Sequence, residues 1–275
     1  MPRPAAFRPH VYPIGDSLCM MGVRLDHSRN RTRGTLMHLN RVVFHPETYP
    51  TREHYPFNLD IFHRTGQIAL DRPVTMFVGE NGTGKSTLLE AMARKAGIHI
   101  WQERGRTRFR YNPYENQFHR CISVEWADGW VPGSFFGSSV FQDFARILDE
   151  WAASDPGQLE YFGGKSLLTQ SHGQSIMSFF KARYGIRGLY LMDEPETALS
   201  PVTQIALLKL LGRMAAAGHA QFIIATHSPI LLACPGATIY SFDQTPIGPV
   251  AYEQTPHYQT YKDFMNDPKK YCDDR

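Results

Sequence analysis

Nine residues, GENGTGKST at positions 79–87, carry the clearest chemistry in the chain. They fit the pattern G-x-x-x-x-G-K-[ST], set between a short apolar run (PVTMFV, 73–78) and a helix-like run. Gly82 and Gly84 let the backbone curl until its N–H groups point into a phosphate. A helix starting near Ser86 adds its positive N-terminal end to the same place. Lys85 is a point charge suited to β- and γ-phosphates, and the Ser86 hydroxyl can ligate magnesium. Gly79, Asn81, Thr83 and Thr87 complete the expected nucleotide cradle.

Three more clusters suit the same ligand. In LYLMDEPE (189–196) an apolar strand delivers two adjacent carboxylates at its C-terminal end. Asp193 is assigned to magnesium and Glu194 to polarising the attacking water; the alternative is an acid pair that merely caps a strand. In IIATHSP a buried strand ends at Thr226, His227 and Ser228. His227 there can hydrogen-bond a γ-phosphate and report its presence, or can be a packing histidine. QSHGQS (170–175) is a small polar loop, 22 residues before Asp193, that precedes a helix; it suits an anion and equally suits an ordinary helix cap. The expected catalytic set is Lys85, Glu194 and His227, with Ser86 and Asp193 on the metal.

The elements that must position these residues follow from periodicity. Residues 36–44 and 57–70 read as strands broken by Pro46, Pro50 and Pro56. Strand-like pieces are expected at 98–101 and 121–126. Helices are expected from near Ser86 to Gly97, over 139–152 and over 173–184. A further helix at 201–216 has Ser200 as N-cap and Pro201 at its first position. Residues 188–192, 221–226 and 237–242 are buried strands. Apolar strands alternating with helices imply an α/β fold whose parallel sheet is covered on both faces.

A chain of 275 residues can bury a core without disulfides, and its 42% hydrophobic and 20% charged content fits a globular protein. No apolar run reaches membrane-spanning length, and the first residues lack the apolar centre of a signal peptide. Cys19, Cys121, Cys234 and Cys272 form no CxxC pair, so a reducing cytoplasm is the expected location. Charge is uneven: residues 1–34 are +4 and the remainder −1. That basic, Pro-rich leader (1–35) reads as a loosely ordered tail or as a contact for nucleic acid. Arg104, Arg106, Arg108 and Arg110 recur with period two, which suits a solvated edge strand or a phosphate-facing row.

The four clusters, in this order and at these spacings, resemble the ABC-type ATPase superfamily, which includes transporter motor subunits and SMC-like heads. DEPETALSP and ATHSPILL are closer to a soluble bacterial branch of AAA/ABC-like ATPases, and the resemblance runs from Tyr55 to Ala233, with a similar tail at 252–268. It implies a P-loop, ABC-ATPase-like head: a mostly parallel central sheet, N-terminal antiparallel strands and a short helical lobe. Residues 36–130 and 186–275 would form the ATP-binding lobe and 131–185 the helical lobe. ATP and Mg2+ are the implied cofactors, and an ATP-dependent homodimer the implied assembly. In such a dimer Ser171, Gly173 and Gln174 contact nucleotide held by the partner. His172 departs from the transporter signature, which has glycine there. Gln142, with Ser138 and Ser139 beside it, is the candidate lid residue; Tyr55 or Phe57 is the candidate adenine platform. The lack of a long heptad arm argues against chromosome-bridging members. Other roles are a nucleic-acid-associated ATP switch in repair or defence, an ATPase subunit serving a separate membrane transporter, and action on an unidentified protein partner. This chain itself inserts into no membrane on that reading.

Overall fold

The computed structural model describes residues 37–272, except 102–111, 115, 156, 158, 161–163 and 170, and describes the backbone alone at residues 139, 140 and 172. The basic leader and the arginine row at 104–110 therefore lie outside the described residues.

In chain order the strands are β1 Leu39–Phe44, β2 Gln67–Ala69, β3 Val74–Val78, β4 Ile122–Trp126, β5 Gly133–Gly137, β6 Gly188–Asp193, β7 Ala220–Ala225, β8 Thr238–Ser241 and β9 Gly248–Pro249. The helices are α1 Asp60–Arg64, α2 Lys85–Lys95, α3 Ser138–Ser154, α4 His172–Arg183, α5 Pro201–Ala217, α6 Pro229–Leu232 and α7 Pro256–Asn266. Six strands form the main sheet in the order β5-β6-β7-β3-β8-β9, parallel except for the β8–β9 pair. A smaller antiparallel sheet, β2-β1-β4, lies beside it in the fold. The expected α/β architecture, with a mostly parallel sheet and antiparallel N-terminal strands, is the one observed.

Every residue of β3 and β7 is buried, as a parallel sheet covered on both faces requires. The two faces are read directly off alternate residues. Leu189, Leu191, Ile223, Ala225 and Phe77 pack on one side with α2 and the small sheet. Tyr190, Met192, Phe222, Ile224 and Met76 pack on the other with α3, α4 and α5. Gln221 is a fully buried polar residue in β7, and its amide is satisfied by the small sheet. Its Oε1 accepts from the His38 and Leu39 N–H groups at 3.0 and 2.7 Å, and its Nε2 donates to Leu39 and Leu70 carbonyls at 2.9 and 3.2 Å. This side chain pins the antiparallel sheet to the main one.

Three expectations are corrected. Residues 57–70 are not a continuous strand: α1 occupies their middle and β2 only their end. Phe57, Ile61 and Phe62 fit a helical turn as well as a strand. Packing decides, because Phe57 and Phe62 close on Phe118 with ring centroids 5.8 and 4.5 Å apart. Residues 98–101 form no strand, although Ile98 and Ile100 are buried. Residues 133–137, placed in the helical lobe by sequence, form edge strand β5 of the main sheet, paired from Gly133 opposite Leu189 to Gly137 opposite Asp193. A Cβ on Gly133 would lie 2.4 Å from the Leu189 carbonyl oxygen, so this close approach selects glycine, a residue that hides the strand from propensity.

Candidate functional site

The parallel topology brings the C-terminal ends of β3, β6, β7 and β8 to one edge of the sheet. The loop after β3 turns directly into α2. Gly79, Gly82 and Gly84 have φ of 150°, 82° and 100°, a region that L side chains rarely enter. At Gly84 a Cβ would also lie 2.6 Å from Phe62 Cζ. Thr83 closes the turn by donating its hydroxyl to the Glu80 carbonyl at 2.9 Å, while Asn81 and Gly82 stay exposed at its crest. Lys85 is buried and its Nζ donates to the Gly79 and Glu80 carbonyls at 2.6 and 2.8 Å. Burial pulls its pKa down, and the surrounding carboxylates of Glu194, Asp243, Asp193 and Glu80 pull it back up. An ammonium held by neutral carbonyls inside a ring of acids is a cation ready to exchange those carbonyls for phosphate oxygens.

Ser86 and Asp193 meet across the site: the Ser86 hydroxyl donates to Asp193 Oδ1 at 2.8 Å. Burial pushes the Asp193 carboxyl up to about 7, with Glu194 adding to the rise and the Ser86 hydrogen bond opposing it. A carboxylate placed where its charge is costly favours a cation beside it. Among the described residues, no group of three or more His, Cys, Asp or Glu could cage a metal ion. One hydroxyl and one carboxylate instead form the hard-oxygen set that magnesium uses when substrate phosphates and waters supply the rest. The residues present therefore fit magnesium on a triphosphate.

Glu194 is the sole non-glycine residue with positive φ among the described residues, at φ 45° and ψ 55°. Its N–H donates to the Ala225 carbonyl at 2.9 Å, and its own carbonyl accepts from Thr197 N and Oγ1. Left-handed backbone at a branched-chain-free but bulky residue costs about 1 kcal/mol or more, and such strain gathers at working sites. A simple strand cap needs no such conformation. The Glu194 carboxylate lies 3.4 Å from His227 Nε2.

His227 is held from three sides. Its backbone N–H donates to Glu196 Oε1 at 2.5 Å, its Nε2 faces Glu194, and its Nδ1 lies 2.9 Å from His257 Nε2. Burial lowers its pKa, helped by the charge of Lys85 and by His257 and opposed by Glu194 and Glu80. Lys85, Ser86, Asp193, Glu194 and His227, named from three separate stretches of sequence, are thus gathered at one edge.

Sequence reasoning missed several neighbours. Asp243, just beyond β8, accepts from the Glu80 N–H at 2.7 Å, and its Oδ1 lies where a Gly79 Cβ would meet it at 3.0 Å. An acid after the next parallel strand is the signal that could have found it. Glu196, largely buried, has its carboxyl pKa raised by burial. His257 has no local signal at all. For the adenine platform, Phe57 is corrected: it is fully buried in the aromatic cluster. Tyr55 is half-exposed, hydrogen-bonds through its hydroxyl to Thr87 Oγ1, and lines a small cleft with Ser86, Glu90 and Arg94.

The signature-like loop is built differently. Ser171 stands at the N-cap of α4 with no side-chain capping bond, and Ser171 and Gln174 are exposed. Gly173 lies near the chain just before α5, where a Cβ would meet the Ala198 carbonyl at 3.8 Å. The hydrogen bonds that join the P-loop to the acids involve none of these three residues. Ser138 opens α3 directly after Gly137, which is opposite Asp193, and Gln142 follows one turn later.

Two family models match the chain. The family described as "AAA domain, putative AbiEii toxin, Type IV TA system" matches residues 157–233, which contain the 170–175 loop, the acid pair and His227. A second, "AAA domain", matches residues 58–94, which contain the P-loop. No curated protein matches. Among solved structures, a "putative metal-chelate type ABC transporter" in an inward-facing conformation is 16% identical, with TM-score 0.48, covering 82% of this chain and 88% of that one. The SMC head domain from Thermotoga maritima is 16% identical, with TM-score 0.43, covering 78% and 100%. CbiO1 from Clostridium perfringens, part of an ABC transporter complex, is 19% identical, with TM-score 0.43, covering 85% and 98%. Among the described residues, no helix is long and apolar enough to cross a membrane.

Proposed function

We propose that this chain, a P-loop ATPase of ABC/SMC-like type, hydrolyses ATP with Mg2+ and that two copies close around the nucleotide. The observation that carries the reading is the strained Glu194, whose carboxylate is aimed at His227 Nε2 at 3.4 Å while its neighbour Asp193 holds the Ser86 hydroxyl at 2.8 Å.

Each residue then has a role set by its chemistry. The backbone of 79–87 cradles the phosphates, with Gly79, Asn81, Gly82, Thr83 and Gly84 forming the turn and Thr87 its helical side. Lys85 leaves its two carbonyl partners for the β- and γ-phosphates. Ser86 and Asp193 hold magnesium, which supplies charge neutralisation on the phosphates when bound. Glu194 accepts the hydrogen bond of the attacking water and orients it. His227, neutral at pH 7 because its pKa is lowered, donates from Nε2 to the γ-phosphate. Tyr55, whose hydroxyl meets that of Thr87, is on this reading the residue that faces the base. Ser171 and Gln174 are exposed and Gly173 half-buried at a helix N-terminus, and we assign the three to the γ-phosphate of the nucleotide held by the second copy. The helical lobe that carries them corresponds on this reading to residues 138–185, after β5 has joined the sheet.

The test is the Glu194→Gln variant with ATP and Mg2+. Loss of turnover with a stable ATP-bound dimer supports the reading. A variant that stays monomeric with ATP, while the wild type hydrolyses at full rate, removes the two-copy mechanism.

A further inference from the structure

His257 lies in the first turn of α7, thirty residues beyond His227 in sequence, and meets the site at that histidine's ring. The two rings lie 5.0 Å apart, and Nδ1 of His227 is 2.9 Å from Nε2 of His257. A hydrogen bond between two ring nitrogens contains one proton, so one ring donates and the other accepts. Both imidazoles are neutral at pH 7, since burial lowers the pKa of each. The charged groups acting on the pair are Lys85, which disfavours protonation, and Glu80, Glu194 and Asp243, which favour it. Glu196 is engaged with the His227 backbone N–H.

The direction of the bond follows from what lies on the far side. His227 Nε2 is buried without a hydrogen-bond partner but lies 3.4 Å from the Glu194 carboxylate, whose negative charge favours the hydrogen on that nitrogen. A neutral ring with its hydrogen on Nε2 has a bare Nδ1, which must accept. The donor is then His257 Nε2–H. This leaves His257 Nδ1 unprotonated, and that atom is buried with no hydrogen-bond partner. The opposite assignment would bury an N–H at His257 Nδ1 with no partner and turn the bare Nε2 lone pair of His227 towards the Glu194 carboxylate, so the carboxylate decides between the two. The helix that carries His257 is itself fixed. Thr255 caps it by accepting from the Tyr258 N–H at 3.3 Å, and the Tyr252 hydroxyl just before it donates to the Pro229 carbonyl at 3.0 Å, two residues beyond His227.

We propose that His257 is a positioning residue: its Nε2–H donates to His227 Nδ1 and thereby holds the His227 Nε2–H pointed at Glu194 and the γ-phosphate. The inference rests on the ATPase reading for its consequence, and on the geometry of the pair for its existence. It also ties α7 to the nucleotide, because anything that shifts this helix releases the tautomer of the switch histidine. His227, which faces Glu194, is thereby hydrogen-bonded to α7.

The test uses the full chain with 15N-labelled histidine and two substitutions. His257→Phe keeps a ring without a donor; His257→Gln returns an N–H donor near the Nε2 position. Two-bond proton–nitrogen spectra of the nucleotide-free wild type are expected to show His227 as a single Nε2–H tautomer. The Phe variant should show a mixture, and the Gln variant should restore the single form. In turnover assays the Phe variant should lose about tenfold to a hundredfold in kcat, as for other orienting partners. Its KM for ATP should stay within about threefold, and Gln should recover most of the loss. A wild-type His227 protonated on Nδ1, or a tautomer unmoved by His257→Phe, overturns the proposal. Should the Phe variant fail to fold, the wild-type and Gln spectra decide alone. A wild type without ATP turnover but with the expected spectra would remove the ATPase reading and leave the pairing intact.

Discussion

The cradle around Lys85 and the loop around Ser171 are both helix N-termini, yet they are built to different ends. In the cradle the backbone is forced into left-handed turns, Lys85 is buried, and Ser86 is bonded to an acid from a strand far away in sequence. The Ser171 loop has ordinary backbone, an unused capping hydroxyl and exposed side chains. A region assembled from four strand ends can hold a ligand alone. On the two-copy reading, a region that presents one helix end to solvent supplies a single face of a site, which the other copy completes. The contrast explains why the two clusters, equally short in sequence, play unequal parts in one copy of the chain.

The largest way to break the contrast is Glu194→Gln. Turnover should fall by about 10²–10⁴-fold, the usual worth of a positioned base, while ATP binding by the cradle persists in equilibrium titrations. Next is Gly84→Val, which places side-chain atoms where Phe62 stands 2.6 Å from an added Cβ, at φ 100°. It should lower unfolding free energy by about 2–4 kcal/mol in denaturant titrations.

A third change acts on charge inside the cradle. In the nucleotide-free chain the Asp193 carboxyl titrates at about 7, against 3.8 for the free group. Between those values the folded chain holds a proton that the unfolded chain has released, so stability falls as pH rises from about 4 to about 7. Asp193→Asn should abolish that slope and raise stability at pH 8 by about 1–3 kcal/mol without nucleotide, measured by thermal or urea unfolding. Magnesium affinity in the presence of ATP should drop at the same time. The smallest effect is at the exposed loop. Gly173→Ala, in a helix where the added methyl would make only an ordinary 3.8 Å contact with the Ala198 carbonyl oxygen, should stabilise the fold by up to about 1 kcal/mol. On the two-copy reading it still slows turnover, so stability and activity move in opposite directions.

The local parts of this site were readable from residue order because each is a short stretch with its own geometry. GENGTGKST declares its turn through glycine, and the strand that precedes Asp193 and Glu194 declares itself through an unbroken apolar run. His227 was legible for the same reason. The unread residues reach the site only through tertiary contact. Asp243 meets Glu80 across 163 positions, and His257 meets His227 across 30, with no periodicity to announce either. Strand β5 is hidden from propensity because glycine stands at both its ends, at Gly133 because of the close approach to the Leu189 carbonyl. At helix α1 the local alternation suits a strand, and aromatic packing around Phe118 decides its form instead.

Mixing two inactive variants tests the shared site most directly. Lys85→Ala disables the cradle and Ser171→Arg blocks the exposed loop. Each alone should be without turnover. Combined in equal amounts, half of the dimers pair one of each, and in those one of the two sites is whole. Turnover should return to about a quarter of the wild-type rate per chain, as expected for a symmetric two-copy assembly with both sites independent. No recovery on mixing, or a Ser171→Arg variant that hydrolyses ATP at the wild-type rate by itself, would contradict a site completed by a second copy.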